Sequence, residues 1–93
     1  MKTKKTLIFA WDKKFQKDIK HQQFDKNTKK LLDEFISFLP KNAKVLDAGC
    51  GAGEKTNYLL ERGVNIIGLD SSKTAIAYAK KNFSKTVFKS GHI

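Results

Sequence analysis

The residues whose types and spacing could do chemistry lie between Asp47 and Asp70. Three glycines fall within five positions, at Gly49, Gly51 and Gly53, directly after a short apolar run. Glycine tolerates positive φ and has no Cβ, so this loop can bend tightly and let a flat ligand approach the main chain. Asp70 follows Gly49 by 21 residues, a spacing at which an acid accepts hydrogen bonds from ribose hydroxyls. The pattern predicts a site for a nucleoside-containing cofactor.

A strand, a helix and a second strand must position these residues. The apolar run Val45–Leu46 predicts the first strand, and Tyr58–Leu60 belongs to a helix that closes at Gly63. The run Val64–Leu69 predicts the second strand, which ends at Asp70. Ligands of open parallel sheets bind beyond the carboxyl ends of the strands, where the glycine loop and this acid both fall.

The charges around the loop argue against a phosphate ligand. Glu54 stands where a dinucleotide-binding fingerprint needs its third glycine, and it also separates Gly53 from Lys55–Thr56, which spoils a phosphate-loop motif. Asp47 and Glu54 would repel a polyphosphate, because like unit charges about 4 Å apart cost roughly 4 kcal/mol at an effective dielectric near 20. A cationic or zwitterionic ligand fits the loop better.

The segments Val45 to Gly53 and Ile67 to Ser71 resemble the first two motifs of class I S-adenosylmethionine-dependent methyltransferases. The resemblance extends over about Trp11 to Ile93. In that family the glycine loop lies under the methionine part of the cofactor, and the acid that ends the second strand holds both ribose hydroxyls. The resemblance therefore implies that Asp47 helps to hold the methionine moiety near its ammonium, directly or through water, and that Asp70 binds the ribose.

The resemblance implies a larger set of residues that bind S-adenosylmethionine. In many relatives a short N-terminal helix covers the cofactor, and Trp11 would belong to it, although packing is the favoured explanation of its stripe with Phe15 and Ile19. His92 stands where many relatives carry an aspartate that accepts from the adenine amine, and a neutral histidine can also accept. The expected set is Asp47, Ala48, Gly49, Cys50, Gly51, Gly53, Asp70, Ser71, His92 and Trp11.

The reaction implied by the resemblance is methyl transfer to an acceptor that the sequence does not identify. In relatives the groups that orient the acceptor come largely from the fourth strand onward, so we predict no catalytic residue and no turnover by these 93 residues alone. Cys50 has no basic partner close in sequence to activate its thiol and is expected to fill space in the loop. Two histidines and one cysteine predict no metal site.

Length and composition predict one α/β domain. The 93 residues are 40% hydrophobic and 30% charged. We expect a Rossmann-like parallel sheet with flanking helices, with about three strands of an expected seven, the third near Thr86–Lys89. Within the single partial domain 1–93, residues 1–43 form a helical or lid region and 44–93 a βαβαβ unit. A missing C-terminal half or a partner chain would complete it.

Periodicity predicts the other helices. One covers about 12–22, and a second runs from about Asn27 to Phe38 and is ended by Pro40. A helix capped by Ser71 or Ser72 follows the second strand. Its expected inward stripe is Ala75, Ile76, Ala79 and Phe83.

The net charge of +10 is uneven, with twelve lysines against five acids in residues 1–44. A nucleic-acid partner is possible, but 18 lysines and one arginine favour a solvated lysine-rich surface. A single cysteine and the lack of a long apolar run predict a cytoplasmic protein with no membrane partner. A non-catalytic adenosyl-binding module, a basic nucleic-acid-binding protein and an aminopropyl transferase, which shares the glycine loop, stay open as alternatives.

Overall fold

The computed structural model describes the backbone of residues 6–10 and all of residues 25–92. Strands and helices alternate along these ranges, which is the order of a parallel α/β sheet. The elements are β1 (Thr6–Ala10), α1 (Lys26–Phe38), β2 (Lys44–Ala48), α2 (Glu54–Glu61), β3 (Asn65–Asp70), α3 (Lys73–Asn82) and β4 (Val87–Ser90).

The four strands form one parallel sheet in the order β1-β2-β3-β4. Leu46 of β2 pairs with Ile67 of β3, which in turn pairs with Val87 of β4. The three strands expected from the sequence are confirmed, as is the Rossmann-like class. The sequence patterns did not predict β1, which pairs with β2 at one edge of the sheet.

The described helices share one face of the sheet. Leu32 of α1 and Leu59 of α2 pack with Val45 and Ile66, which are register partners on β2 and β3. Ile76 and Ala79 of α3 pack with Phe88 of β4, which pairs with Gly68 and therefore points to the same side as Ile66. Right-handed crossovers between strands that are added in one direction place their helices on one side, which explains the arrangement.

The helix ends follow the sequence signals. Asp25 caps α1 by accepting from the Thr28 N–H at 2.9 Å, and Ser72 caps α3 by accepting from the Ala75 N–H at 3.1 Å. At the end of α2, Gly63 adopts φ 87° and the Val64 N–H donates to the Leu59 carbonyl, as in a Schellman motif. These caps fix where each helix releases the chain into the next strand.

A polar cluster joins α1 to α2 on the outer surface of the helix layer. The Tyr58 hydroxyl donates to Asp33 at 2.8 Å, and the Arg62 guanidinium lies 3.3 Å from the same carboxylate. The guanidinium carbon also stands 3.4 Å from the centroid of the Tyr58 ring. Among the described residues, no helix is long and apolar enough to cross a membrane.

Candidate functional site

The glycine loop, residues 49–53, joins the carboxyl end of β2 to the first turn of α2. Gly49, Gly51 and Gly53 have φ values of 79°, 58° and 87°, a left-handed conformation that side chains with a Cβ adopt only at a cost. Glu54 begins α2 directly after the loop. The loop therefore reverses the chain at the strand ends, where open parallel sheets bind ligands.

Most of the loop N–H groups donate within the chain. The Leu69 carbonyl accepts from both Gly49, at 2.6 Å, and Cys50, at 3.0 Å, and the Gly53 N–H donates to the Cys50 carbonyl at 3.1 Å. The Gly51 N–H donates to a side chain. A phosphate-binding loop needs such N–H groups for its ligand. This loop uses them to hold its own shape, which agrees with the prediction that its ligand is not a phosphate.

The Asp70 carboxylate links the loop to the end of β3. Its Oδ2 accepts from the Gly51 N–H at 2.8 Å, and its Oδ1 accepts from the Ser72 N–H at 2.9 Å. A carboxylate offers about four lone-pair positions, so each oxygen can accept one more hydrogen bond. The side chain is partly exposed, and two vicinal hydroxyls can supply those two bonds.

Asp47 lies in the interior below the loop. Its side chain is 1% exposed, and Oδ2 accepts from the Thr56 hydroxyl at 2.7 Å. Thr56 is fully buried in α2, so this bond ties the end of β2 to the helix that follows the loop. The Asp47 carboxylate therefore lies beneath the loop, on the side away from solvent.

Burial changes the acid–base properties of two side chains near the loop. Burial, together with the charges of Asp47 and Asp70, raises the pKa of Cys50 to about 12, so the thiol is neutral at physiological pH. This agrees with its predicted role as a filler, not a nucleophile. Burial lowers the pKa of Lys55, against the opposing effect of the carboxylates of Glu54 and Asp47.

The remaining expected site residues occupy different positions. Ala48 is buried at the end of β2, and Ser71 is exposed beside Asp70. His92 is exposed and follows Gly91, whose N–H donates to the Asp70 carbonyl at 3.0 Å. The structure therefore brings every described member of the set to one end of the sheet. Trp11 and the predicted helix over 12–22 lie outside the described residues.

Residues 39–92 match the family model of a methyltransferase domain, which covers more than half of the chain and includes the loop, β3 and β4. A crystal structure of a TehB-like S-adenosylmethionine-dependent methyltransferase from Corynebacterium glutamicum superposes on 72% of the chain with a TM-score of 0.58 and 34% identity. The chain belongs to the class I S-adenosylmethionine-dependent methyltransferase family.

The curated proteins similar to this chain include methyltransferases named for different substrates and others that are uncharacterized. A ribosomal RNA small subunit methyltransferase A from Treponema denticola is 37% identical over 78 residues, which are 84% of this chain. An uncharacterized methyltransferase from Synechocystis is 42% identical over 48 residues, or 52% of this chain. The matches span 25% and 23% of those relatives and 35% of the Corynebacterium structure. The chain thus spans about a quarter of the length of these curated relatives.

A surface cavity of about 570 Å³ lies at the opposite end of the methyltransferase sheet, where β2 and β3 begin. Arg62 is the charged residue of its lining, which otherwise includes the apolar side chains of Ile36 and Leu39. No cluster of three or more His, Cys, Asp or Glu side chains suited to a metal occurs within residues 25–92. Among the described residues, the buried Asp47 carboxylate and the loop N–H groups lie at the glycine loop, at the other end of the sheet from this cavity.

Sequence reasoning missed Thr56 as a part of this site. A threonine in the first turn of the helix that follows a strand-end aspartate is the signal that could have identified it, since its hydroxyl then faces back toward the strand. In the structure Thr56 is buried, and the hydrogen bond from its hydroxyl orients the Asp47 carboxylate.

Proposed function

We propose that this chain forms the cofactor-binding part of an S-adenosylmethionine-dependent methyltransferase. The observation that carries the proposal is the loop held against Asp70 at the carboxyl ends of two adjacent parallel strands. The matched family and the Corynebacterium neighbour, whose title names S-adenosylmethionine dependence, support the same cofactor. The acceptor of the methyl group stays unidentified.

The residues present fit this cofactor. Asp70 has lone pairs left for two ribose hydroxyls, and the loop glycines leave main chain without Cβ atoms for the methionine part. Asp47 places a negative charge under the loop, which favours a ligand that carries an ammonium and a sulfonium. His92, at the end of the segment after β4, is the proposed neighbour of the adenine.

S-adenosylmethionine supplies a methyl group already activated by its sulfonium. The part left to this chain is to bind and orient the cofactor, because fixed geometry contributes much of the rate in such transfers. In the proposal, a downstream half or a partner chain supplies the acceptor site, and the 93 residues alone bind cofactor without turnover. A cytoplasmic location stays a prediction from the single cysteine.

Calorimetric titration of S-adenosylhomocysteine into the chain tests the proposal. We expect binding by the wild type and a loss of roughly tenfold or more for Asp70→Asn, because hydrogen bonds to a charged group contribute about 1.5 to 3 kcal/mol. Asp33→Asn is the matched control, since that carboxylate lies on the outer surface with Arg62. A folded wild type that does not bind would refute the proposal. Tighter binding of decarboxylated S-adenosylmethionine would favour an aminopropyl transferase.

An RNA acceptor is the second candidate. The relative with the ribosomal RNA name aligns with 84% of this chain, and the net charge is +10. Lys26, Lys29 and Lys30 of α1 are exposed. Anisotropy of a labelled single-stranded RNA between 50 and 200 mM salt tests this candidate, because neutralised phosphates make affinity fall steeply with salt. Affinity that does not change with salt, or no binding at 50 mM, would count against RNA.

A further inference from the structure

The ring of Phe88 occupies the space that side chains at two glycines would fill. Phe88 is 3% exposed on β4. A Cβ built on Gly53 would lie 2.5 Å from the ring Cζ and 2.7 Å from Cε1. A Cβ built on Gly68 would lie 2.6 Å from Cδ1 and 2.9 Å from Cε1. The ring is therefore packed directly between the last residue of the glycine loop and the middle of β3.

The two glycines are needed for different reasons. Gly53 has φ 87°, so both conformation and space favour glycine there. Gly68 has no left-handed φ and lies within a regular strand, where any residue can adopt the backbone conformation. At Gly68 the requirement is space alone, and Phe88 together with the Cys50 Sγ, 2.9 Å from the built Cβ, fills that space.

The Phe88 ring contacts the loop at Gly53, where no hydrogen bond joins the loop to β3. The Leu69 carbonyl holds the start of the loop through Gly49 and Cys50, and Asp70 holds the middle through Gly51. The Gly53 N–H bonds only within the loop, to the Cys50 carbonyl. Phe88 thus contacts the last residue of the loop from β4, while the Thr56–Asp47 hydrogen bond holds the following turn of α2 to β2.

We propose that Phe88 is a positioning residue that sets the distance of the glycine loop from β3 and thereby the shape of the cofactor site. The inference rests on the proposed function for the identity of the ligand. Loop position matters for affinity because binding groups must be held within about 0.5 Å of their productive geometry. Here the Phe88 ring, which packs against Gly53 on one side and Gly68 on the other, fixes the position of the loop.

Phe88→Leu tests the proposal in the full chain, with Phe83→Leu as the matched control. Phe83 belongs to the same apolar cluster but is not among the atoms nearest to either glycine. Leucine keeps the site apolar but cannot fill the space on both sides. We expect S-adenosylhomocysteine affinity to fall by about tenfold for Phe88→Leu and by less than about threefold for Phe83→Leu. Amide exchange of Gly51 and Gly53 in the ligand-free chain should accelerate only in Phe88→Leu.

A compensating pair tests whether the contact between Phe88 and Gly68 sets the affinity for the ligand. Gly68→Ala should weaken binding, because the new methyl group pushes the ring toward Gly53. Adding Phe88→Leu to Gly68→Ala should restore part of the affinity, because the smaller side chain makes room for the new methyl group and residues in contact are coupled. Additive losses, or equal affinity and amide exchange in Phe88→Leu and Phe83→Leu, would overturn the proposal. If the folded wild type does not bind, the proposed function fails, and amide exchange alone decides the role of Phe88.

Discussion

At the scale of single residues, the site depends on carboxylates whose hydrogen bonds the fold supplies. Asp47 is 1% exposed, and burying a carboxylate is costly unless polar partners compensate. The Thr56 hydroxyl, 2.7 Å away, is such a partner and lies in the helix that follows the loop. The same bond that stabilises the acid therefore fixes the first turn of α2 against β2.

Thr56→Val keeps the shape of the side chain and removes the donor. We expect the free energy of unfolding to fall by about 1 to 3 kcal/mol, because a buried charged acceptor loses a hydrogen bond. Urea denaturation measures it. Thr74→Val, at an exposed position in the first turn of α3, is the control and should change stability by less than about 0.5 kcal/mol. Equal effects at the two threonines would mean that the bond to Asp47 contributes nothing.

The raised pKa of Cys50 should lower the free energy of unfolding at high pH. Its folded pKa of about 12 lies above the ordinary thiol value of 9.0, so from about pH 9 upward the unfolded chain releases the thiol proton and the folded chain keeps it. Unfolding is then increasingly favoured as pH rises. Urea denaturation from pH 8 to 10.5 should show the wild type losing stability faster than Cys50→Ala. Parallel curves would show that the thiol is not shielded by the fold.

At the scale of elements, the cap at Gly63 ends α2 and starts the turn into β3. A Cβ at this glycine would meet nothing within 4 Å, so its φ of 87° is the whole constraint. Gly63→Ala should destabilise the chain by about 1 to 2 kcal/mol through backbone strain. Gly63→Asn should cost less, since asparagine tolerates the left-handed region. Urea denaturation of both variants checks the order, and an alanine variant as stable as wild type would contradict it.

The elements also show what the sequence could predict. The glycine spacing, the stripe of α1 and the apolar runs of β2 and β3 predicted these elements closely, because period and turn chemistry are local properties. The pairing of β1 with β2 joins Thr6 to Lys44 and depends on contacts distant in sequence, so no local pattern predicted it. The packing of Phe88 against Gly53 and Gly68 could not be predicted from the sequence for the same reason.

At the scale of the whole molecule, the sheet has one face covered by the described helices and one that none of them covers. Ile67 is 36% exposed and Val87 50% exposed on the second face, whereas Ile66 on the first is 3% exposed. Parallel sheets normally have both faces covered. From the exposed apolar side chains of β3 and β4 we predict that the chain self-associates through this face.

Ile67→Thr should reduce self-association of the chain while changing the free energy of unfolding by less than about 0.5 kcal/mol, because the side chain is already part exposed and threonine suits a strand. Sedimentation velocity and urea denaturation measure the two effects. Ile66→Thr, the neighbouring residue on the covered face, is the matched control and should destabilise by about 1.5 to 3 kcal/mol. Association unchanged in Ile67→Thr would show that this face is not involved.

The most direct test of the central claim is a titration of the ¹⁵N-labelled chain with S-adenosylhomocysteine, followed by amide chemical shifts. We expect saturable changes at the amides of 49–53 and 70–72, with smaller ones near Gly91, and none around the cavity at Asn42 and Asn65. A folded chain whose loop amides do not respond, or that responds only at the opposite end of the sheet, would contradict the assignment of this site.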